Sequence, residues 1–371
     1  MKIEPFGVEM WMNAHETRCE VNIAETCVDS LTVDELLSLA GINDGLESLR
    51  GLRMGYGAIE GSDRLRDAIA GHYEGQGRDN VLVTHGTIGA NALVHRALVG
   101  RGDRVVSIVP TYQQHTAIPE SIGAEVVRLE LRAEDGYLPD LEALRDAARG
   151  ARLIAMTNPN NPTGALIERP MLEEIVGIAR EAGAWLLSDE VYRGTDQTGD
   201  GITASVADLY ERGISTAGMS KAFALAGLRL GWVAGPREVI EAVMIHRDYD
   251  TISVGVVDDA LAAMALEAKD RVLARSREIT RGNLALLAEW VDAEPGVTWV
   301  RPASGTVCLL DYGLDMGSER FCLDLLAETG VLLTPGSAFG MEGQVRIGFG
   351  NARSAMTEGL SRLSGFLAAR R

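Results

Sequence analysis

Cysteine is scarce in this chain of 371 residues, and Cys19, Cys27, Cys308 and Cys322 form no CxxC pair. Their spacing fits no zinc site, so reduced thiols in a cytoplasmic protein are expected. Histidine is equally sparse. His15, His72, His85, His95, His115 and His246 show no HExxH-type pairing, and no metal centre is expected. Basic residues are outnumbered: 35 Lys and Arg stand against 53 Asp and Glu, a formal net charge of −18. A nucleic-acid binder needs a basic face for phosphates, which this excess of acid excludes. Apolar runs such as Leu153–Met156 and Ala184–Leu187 fall far short of the roughly 20 residues of a membrane span. MKIEPFGVEM has no long apolar core, so no secretory signal is expected. Internal repeats, low-complexity segments and long Pro/Ser linkers are missing too.

What is present is the composition of a soluble globular protein, 46% hydrophobic and 24% charged. The length suits one large domain or two. Residues 1–30 read as polar and irregular, with acids at Glu4, Glu9, Glu16, Glu20, Glu25 and Asp29. Thr32–Leu39 reads as a short helix with a Thr32/Glu35 capping box. From residue 60 short apolar strands alternate with helical patterns. The strands are expected at Asn80–Thr84, Asp103–Val109, Gly123–Leu129, Ala151–Thr157, Ala184–Ser188, Gly213–Gly218 and Gly231–Ala234. This alternation predicts βαβ units and a mostly parallel sheet covered on both faces. Ligands of such sheets sit at the carboxyl ends of the strands. The loops THGT, PTY, NPNNPTG, SDEVY and MSKA all follow strands, so they are expected to converge. Pro236–Asp270 reads as long and helical, and an α+β pattern follows after about residue 290. The expected division is an N-terminal arm over the site (1–55), a large domain (56–285) and a small C-terminal α+β domain (286–371).

Five elements carry chemistry. Lys221, in GMSKAFALAGLRLGW, is either a surface residue at a strand end or a partly buried amine with a lowered pKa, suited to Schiff-base formation. Arg229, between Leu228 and Leu230, needs an anionic partner if buried, either a structural carboxylate or a bound phosphate. Asp189, closing an apolar strand, is an exposed strand-end acid or the partner of a pyridinium nitrogen. Tyr192, three residues on, has the reach to donate to a phenolate oxygen. The Asn158–Gly164 loop needs no function as a turn, but the Asn161 amide can hold the same oxygen. Gly86-Thr87-Ile88-Gly89 enters a helix, where backbone N–H groups bind phosphate.

In this order, the elements resemble the fold-type I pyridoxal-5′-phosphate enzymes, specifically the class I/II aminotransferases, from about Gly55 to the C-terminus. The resemblance implies an α/β aminotransferase-like fold with pyridoxal 5′-phosphate as cofactor. Lys221 would bond the cofactor and move the Cα proton, Tyr112 would stack on its ring, and Asp189 would pair with the ring nitrogen. Asn161 and Tyr192 would hold the phenolate oxygen. Gly86, Thr87, Ile88, Ser220 and Arg229 would bind phosphate. Arg346, in VRIGFGN, would grip the carboxylate of an L-amino acid. Tyr56 would reach the phosphate in a neighbouring subunit, making a homodimer with shared sites. His115 is either the residue beneath the aspartate found in some members or a packed loop histidine.

Two departures stand out. Gly218 occupies the place three residues before the lysine where members often carry a phosphate-binding Ser or Thr. At Asn22–Leu31, a glycine or apolar residue is expected, yet the stretch is acidic. It is loosely similar to divergent members of specialised metabolism, the capreomycidine synthases and arginine-oxidising enzymes. Glu16, Glu25 and Asp29 are then either a pocket for a cationic side chain or a solvated acidic surface. Arg247 either reads a distal substrate acid or pairs with Asp248 or Asp250. The expected activity is amino transfer to a 2-oxo acid; elimination, substitution, cyclisation or oxidation at the same Cα is the alternative. A DNA-binding regulator built on this domain would need basic residues and extra length.

Overall fold

The fold is given by a computed structural model that describes residues 2–43 and 45–371. A two-residue strand in the N-terminal arm, β1 (Val21–Asn22), precedes the large sheet. That sheet is built from β2 (Val81–Thr84), β3 (Arg104–Val109), β4 (Glu125–Glu130), β5 (Ala151–Thr157), β6 (Trp185–Asp189), β7 (Gly213–Gly218) and β8 (Gly231–Ala234). Their order is β2-β8-β7-β6-β5-β3-β4, and β8 alone runs antiparallel to its neighbours. The expected strands lie within a residue or two of these bounds.

Successive residues of the central strands face opposite helical layers, and both layers are apolar. In β5, Leu153 and Ala155 join a cluster with Leu93 and Val94 of helix Gly86–Leu98 and Val239 of helix Arg237–Asp248. Ile154 and Met156 face the other way, into Leu172 and Ile175 of helix Arg169–Ala182. Burial on both faces explains why these strands read as unbroken apolar runs.

The C-terminal unit holds β9 (Thr298–Trp299), β10 (Val307–Asp311), β11 (Val331–Leu332), β12 (Thr334–Pro335) and β13 (Gln344–Gly348). An antiparallel sheet runs β12-β13-β10-β9, and β11 pairs in parallel with β1 of the arm. Helices Ser318–Thr329 and Arg353–Ala368 cover a core that includes Phe321, Leu325, Ile347 and Phe349. The 25-residue helix Lys269–Ala293 contributes Leu284, Leu287 and Val291 to that core and runs through the expected division at 285/286. Pro236–Asp270 is interrupted: helix Arg237–Asp248 ends, the chain turns with Ile252 at φ +62°, and helix Val256–Glu267 begins.

The expectation of an irregular segment over 1–30 is corrected. Gly7–His15 is a helix that buries Val8 and Trp11, and the Trp11 indole donates to the Leu333 carbonyl at 2.9 Å. Ile23, Ala24 and Val28 are fully buried. The arm runs so close to β13 that a Cβ on Gly348 would lie 1.8 Å from the Glu25 carbonyl oxygen. Only a residue without a side chain permits that approach, and it delivers Glu25, Thr26 and Cys27 to the ends of the large sheet's strands. The Thr32/Glu35 capping box is present. Among the described residues, no helix is long and apolar enough to cross a membrane.

Candidate active site

A cavity of about 280 Å³ opens where the C-terminal ends of β3, β5, β6 and β7 meet the arm and β13. Lys221, Asp189, Tyr112, Asn161, Tyr192, Thr87, Ile88, Ser220, Arg229, Arg346 and Glu25 all line it. The five loops therefore converge as their positions after strands require.

Lys221 follows β7 and is partly buried. Its Nζ donates to Thr26 Oγ1 at 2.5 Å and to Cys27 Sγ at 3.5 Å. Burial disfavours the Lys221 ammonium. The neighbouring Cys27 and Tyr192, with the Glu25 carboxylate, favour it, and the balance holds the amine above its ordinary range, which corrects the expectation of a lowered pKa. Burial pushes the Cys27 thiol up to about 11, so it stays protonated near neutrality. For Glu25, burial is outweighed by the Lys221 charge and by the Cys27 and Thr26 N–H groups, which donate to Oε1 at 2.9 and 2.7 Å. Its carboxyl is held below the usual range and is ionised.

Asp189 ends β6 and is buried. Asn91 Nδ2 donates to its Oδ2 at 2.7 Å, and the Val191 N–H donates to Oδ1 at 3.1 Å. Asn91 is itself held by Thr216 Oγ1 at 2.6 Å. His115 is fully buried, and its Nε2 lies 3.8 Å from Asp189 Oδ2. The reading of a residue beneath the aspartate therefore prevails over that of a loop histidine.

The opposite wall carries Arg346 on β13. Its Nη1 donates to Asn161 Oδ1 at 3.2 Å, and its Nη2 to Thr334 Oγ1 at 3.2 Å and the Ala24 carbonyl at 3.3 Å. It is buried, its Nε has no partner, and no carboxylate of the described residues lies within ion-pair distance. Burial lowers its pKa from the ordinary arginine value. A buried guanidinium held only by neutral acceptors is built to receive an anion.

A second anion cradle forms around Gly86, which starts its helix at φ +67°. A Cβ there would approach Arg229 Nη2 to 3.1 Å. Thr87 Oγ1 is buried without a partner, and Ile88 is partly exposed in the cavity wall. Arg229 differs from expectation: it is exposed, not buried among its leucines. The Ala226–Leu228 turn leaves it at φ +48° and carries its guanidinium back to Ser220 Oγ at 3.4 Å. Gly218 also has a reason. A Cβ on it would meet Thr87 Oγ1 at 2.6 Å and the Leu230 carbonyl at 2.9 Å, so the Thr87 hydroxyl fills the space a serine would need.

Two expectations need correction. Asp29 is exposed outside the cavity, where Arg275 Nη1 donates to its carbonyl at 2.8 Å. Arg247 is buried against β2, donating to the Val83 carbonyl at 2.9 Å; it neither lines the cavity nor pairs with Asp248 or Asp250. Tyr56, for which a role in a neighbouring subunit is expected, is 74% exposed and outside the cavity of its own chain, with its carbonyl accepting from Ser253 Oγ at 2.8 Å.

Sequence reasoning missed Glu9, Thr26, Cys27, Asn91 and His95. Glu9 accepts the Tyr112 hydroxyl at 2.6 Å, while Phe6 packs on the Tyr112 ring at 4.6 Å. Val8, Trp11, Met12 and His15 carry the helical spacing that would have placed Glu9 on a helix. Thr26 and Cys27 gave no local signal, because only the docking of the arm brings them to Lys221.

Comparison with known proteins agrees with this geometry. The profile described as "Aminotransferase class I and II" matches residues 36–363. Capreomycidine synthase of Streptomyces vinaceus is 30% identical over 359 residues, 96% of this chain and 92% of that one. A PLP-dependent aminotransferase from Streptococcus suis superposes with a TM-score of 0.97 at 42% identity, covering 100% of this chain and 99% of that one. The PLP-dependent cyclase OrfR superposes with a TM-score of 0.93 at 31% identity, covering 100% and 99%. On the profile match and these likenesses, the chain belongs to the class I and II aminotransferase family.

Proposed function

We propose that the chain binds pyridoxal 5′-phosphate in this cavity and transfers the amino group of an L-amino acid to a 2-oxo acid. The observation that carries the reading is the polarity of the cavity. Two guanidiniums without carboxylate partners among the described residues line it at separate places, Arg229 beside Thr87 and Ser220 and Arg346 beside Asn161 and Thr334, with Lys221 and Asp189 also in its wall. A planar cofactor with a phosphate, joined to an amino acid with a carboxylate, has that same distribution of charge.

The residues fit the group. The orphaned Thr87 hydroxyl, the N–H groups at the start of helix Gly86–Leu98, Ser220 and Arg229 would hold the phosphate. Asp189, whose oxygens accept from Asn91 and Val191, would pair with the ring nitrogen, and Tyr112 would lie against the ring. When bound, pyridoxal phosphate supplies an aldehyde for the amine and a ring that accepts the electron pair left at Cα. The protein does the rest. Arg346 grips the substrate carboxylate, and Asn161, bonded to Nη1, fixes the plane of that grip. Lys221 carries the proton to and from Cα, and Thr26 Oγ1 orients its Nζ. Tyr112 is tied through Glu9 to the arm, whose Val8, Glu9, Met12 and Glu16 form part of the cavity wall.

The preferred side chain is cationic. Glu9, Glu16 and Glu25 line the cavity, and none has an ion-pair partner among the described residues. Burial, then the nearby Glu25 and Glu9 charges, raise the Glu16 carboxyl, a crowding that a substrate cation would relieve. The exposed Tyr56 is read as serving the site of a second copy, in a homodimer.

Lys221→Ala tests the cofactor: it must lose the visible band of the lysine-bound cofactor, and an unchanged spectrum would refute the assignment. A single turnover with L-amino acids and no acceptor tests the reaction. One equivalent of oxo acid, with the cofactor left as its amine, supports transfer. The likeness to capreomycidine synthase and to the OrfR cyclase favours a second reading, cyclisation or another fate at Cα. Recovery of the starting spectrum without oxo acid supports that one.

A further inference from the structure

The Asp189 environment extends one residue beyond His115. His95, on helix Gly86–Leu98, is fully buried, and its Nε2 lies 3.1 Å from His115 Nδ1. The two rings meet edge to face at 5.3 Å. One proton lies between them, on one nitrogen or the other. The outer nitrogens, His95 Nδ1 and His115 Nε2, are buried without hydrogen-bond partners, and the second of these lies 3.8 Å from Asp189 Oδ2.

Two neutral arrangements are available. If His115 donates from Nδ1, a bare lone pair on its Nε2 confronts the Asp189 carboxylate, and the Nδ1–H of His95 is buried with no acceptor. If His95 donates from Nε2, the proton of His115 sits on Nε2, 3.8 Å from the Asp189 carboxylate, where the charge attracts it, and the Nδ1 of His95 carries no N–H to be orphaned. The second arrangement avoids both penalties. A doubly protonated His115 would satisfy Asp189 but would again orphan the His95 Nδ1–H. Burial, and then the neighbouring His115, push His95 well below its ordinary pKa, which keeps it neutral.

We propose that His95 is a positioning residue. Its Nε2–H fixes the tautomer of His115, and the resulting Nε2–H of His115 supports the charge on Asp189. This rests on the reading of Asp189 as the partner of the ring nitrogen. The carboxylate then has three donors around it, Asn91, Val191 and the more distant His115, so the pairing would be set before cofactor arrives.

The test begins with wild-type, cofactor-free protein labelled with 15N-histidine. Long-range proton–nitrogen correlations should show His115 protonated on Nε2 and bare on Nδ1, and His95 protonated on Nε2. A His115 protonated on Nδ1, or on both nitrogens, would overturn the proposal. The second arm is His95→Phe, which keeps a ring but removes the donor. His115 should lose its single tautomer, and the dissociation constant for pyridoxal phosphate, measured by equilibrium dialysis, should rise about tenfold. An unchanged tautomer and affinity would count equally against it. If His95→Phe does not fold, the wild-type spectrum still decides. The Lys221→Ala absorbance test judges the cofactor reading separately.

Discussion

Gly218→Ala adds a single carbon where the structure has no room. The new Cβ would stand 2.6 Å from Thr87 Oγ1, 2.9 Å from the Leu230 carbonyl and 3.1 Å from Gly231 Cα. Ordinary non-bonded contacts to carbon lie near 3.5–4.0 Å, so something must move by more than half an ångström. Thr87 can turn its hydroxyl aside. The Leu230 carbonyl cannot yield so cheaply, because Gly218 and Gly231 are paired across β7 and β8 in the middle of a seven-stranded sheet. Overpacking of this kind costs about 1–3 kcal/mol. In urea, the unfolding midpoint of the cofactor-free variant should fall with its slope unchanged. Thr87→Ala removes one of the three contacts, so the double variant should recover about 1 kcal/mol relative to the sum of the single changes. Gly218→Ser, which restores the residue common in the family, carries the same Cβ and should lose stability as well. A Gly218→Ala protein that unfolds at the wild-type urea concentration would refute the claim that the Thr87 hydroxyl and the serine compete for one space.

The remaining predictions concern charge. Arg346→Leu should lower kcat/KM for L-amino acids by roughly 150-fold, about 3 kcal/mol for lost charge-assisted hydrogen bonds; a loss under tenfold would remove Arg346 from the carboxylate grip. Glu9→Gln and Glu25→Gln should each reduce kcat/KM for cationic substrates more than for neutral ones, and equal losses in steady-state assays would sink the cationic pocket. His72 is buried against Tyr73 and Phe223, and burial holds its pKa well below the ordinary value. The unfolded chain therefore takes up a proton that the folded chain refuses, so stability is full above about pH 6.5 and falls as pH drops below it. His72→Phe should flatten that fall by up to about 1.4 kcal/mol per pH unit, measured by urea unfolding between pH 7 and 5; an unaltered slope would contradict a neutral buried imidazole.

What was legible in the sequence follows the range of the interactions involved. The central strands declared themselves because each is buried on both faces and reads as an apolar run. Lys221, Asp189 and Asn161 were legible because each follows such a strand, and a parallel sheet gathers those ends in one place. The arm obeyed no such rule. Its acids looked alike as Glu16, Glu25 and Asp29, yet Gly348 admits the arm across β13 and turns Glu25 inward while leaving Asp29 in solvent with Arg275. The two arginines show the same limit. Arg229 sits among leucines and is exposed because a left-handed residue swings it out, while Arg247, within a charged run, is buried.

Two departures from the family pattern bear on the cavity, one at Gly218 and one in the arm. Where the phosphate is proposed to sit, Gly218 yields space to Thr87. The arm adds Glu9, Glu16, Glu25, Thr26 and Cys27, and it also holds Lys221 and Tyr112 in place. On the proposed reading, Glu9 would meet a substrate cation while bonded to Tyr112, and Glu25 would do so while accepting from the N–H groups of Thr26 and Cys27, whose side chains accept from Lys221. A cation that engages Glu25 or Glu9 would then act on groups already connected to Lys221 and Tyr112, so the proposed reading ties substrate choice and the fate of the Cα proton to the same short segment. Changes in the arm should then alter the ratio of products as well as the affinity for substrate, whereas changes around Thr87 and Arg229 should alter cofactor retention alone.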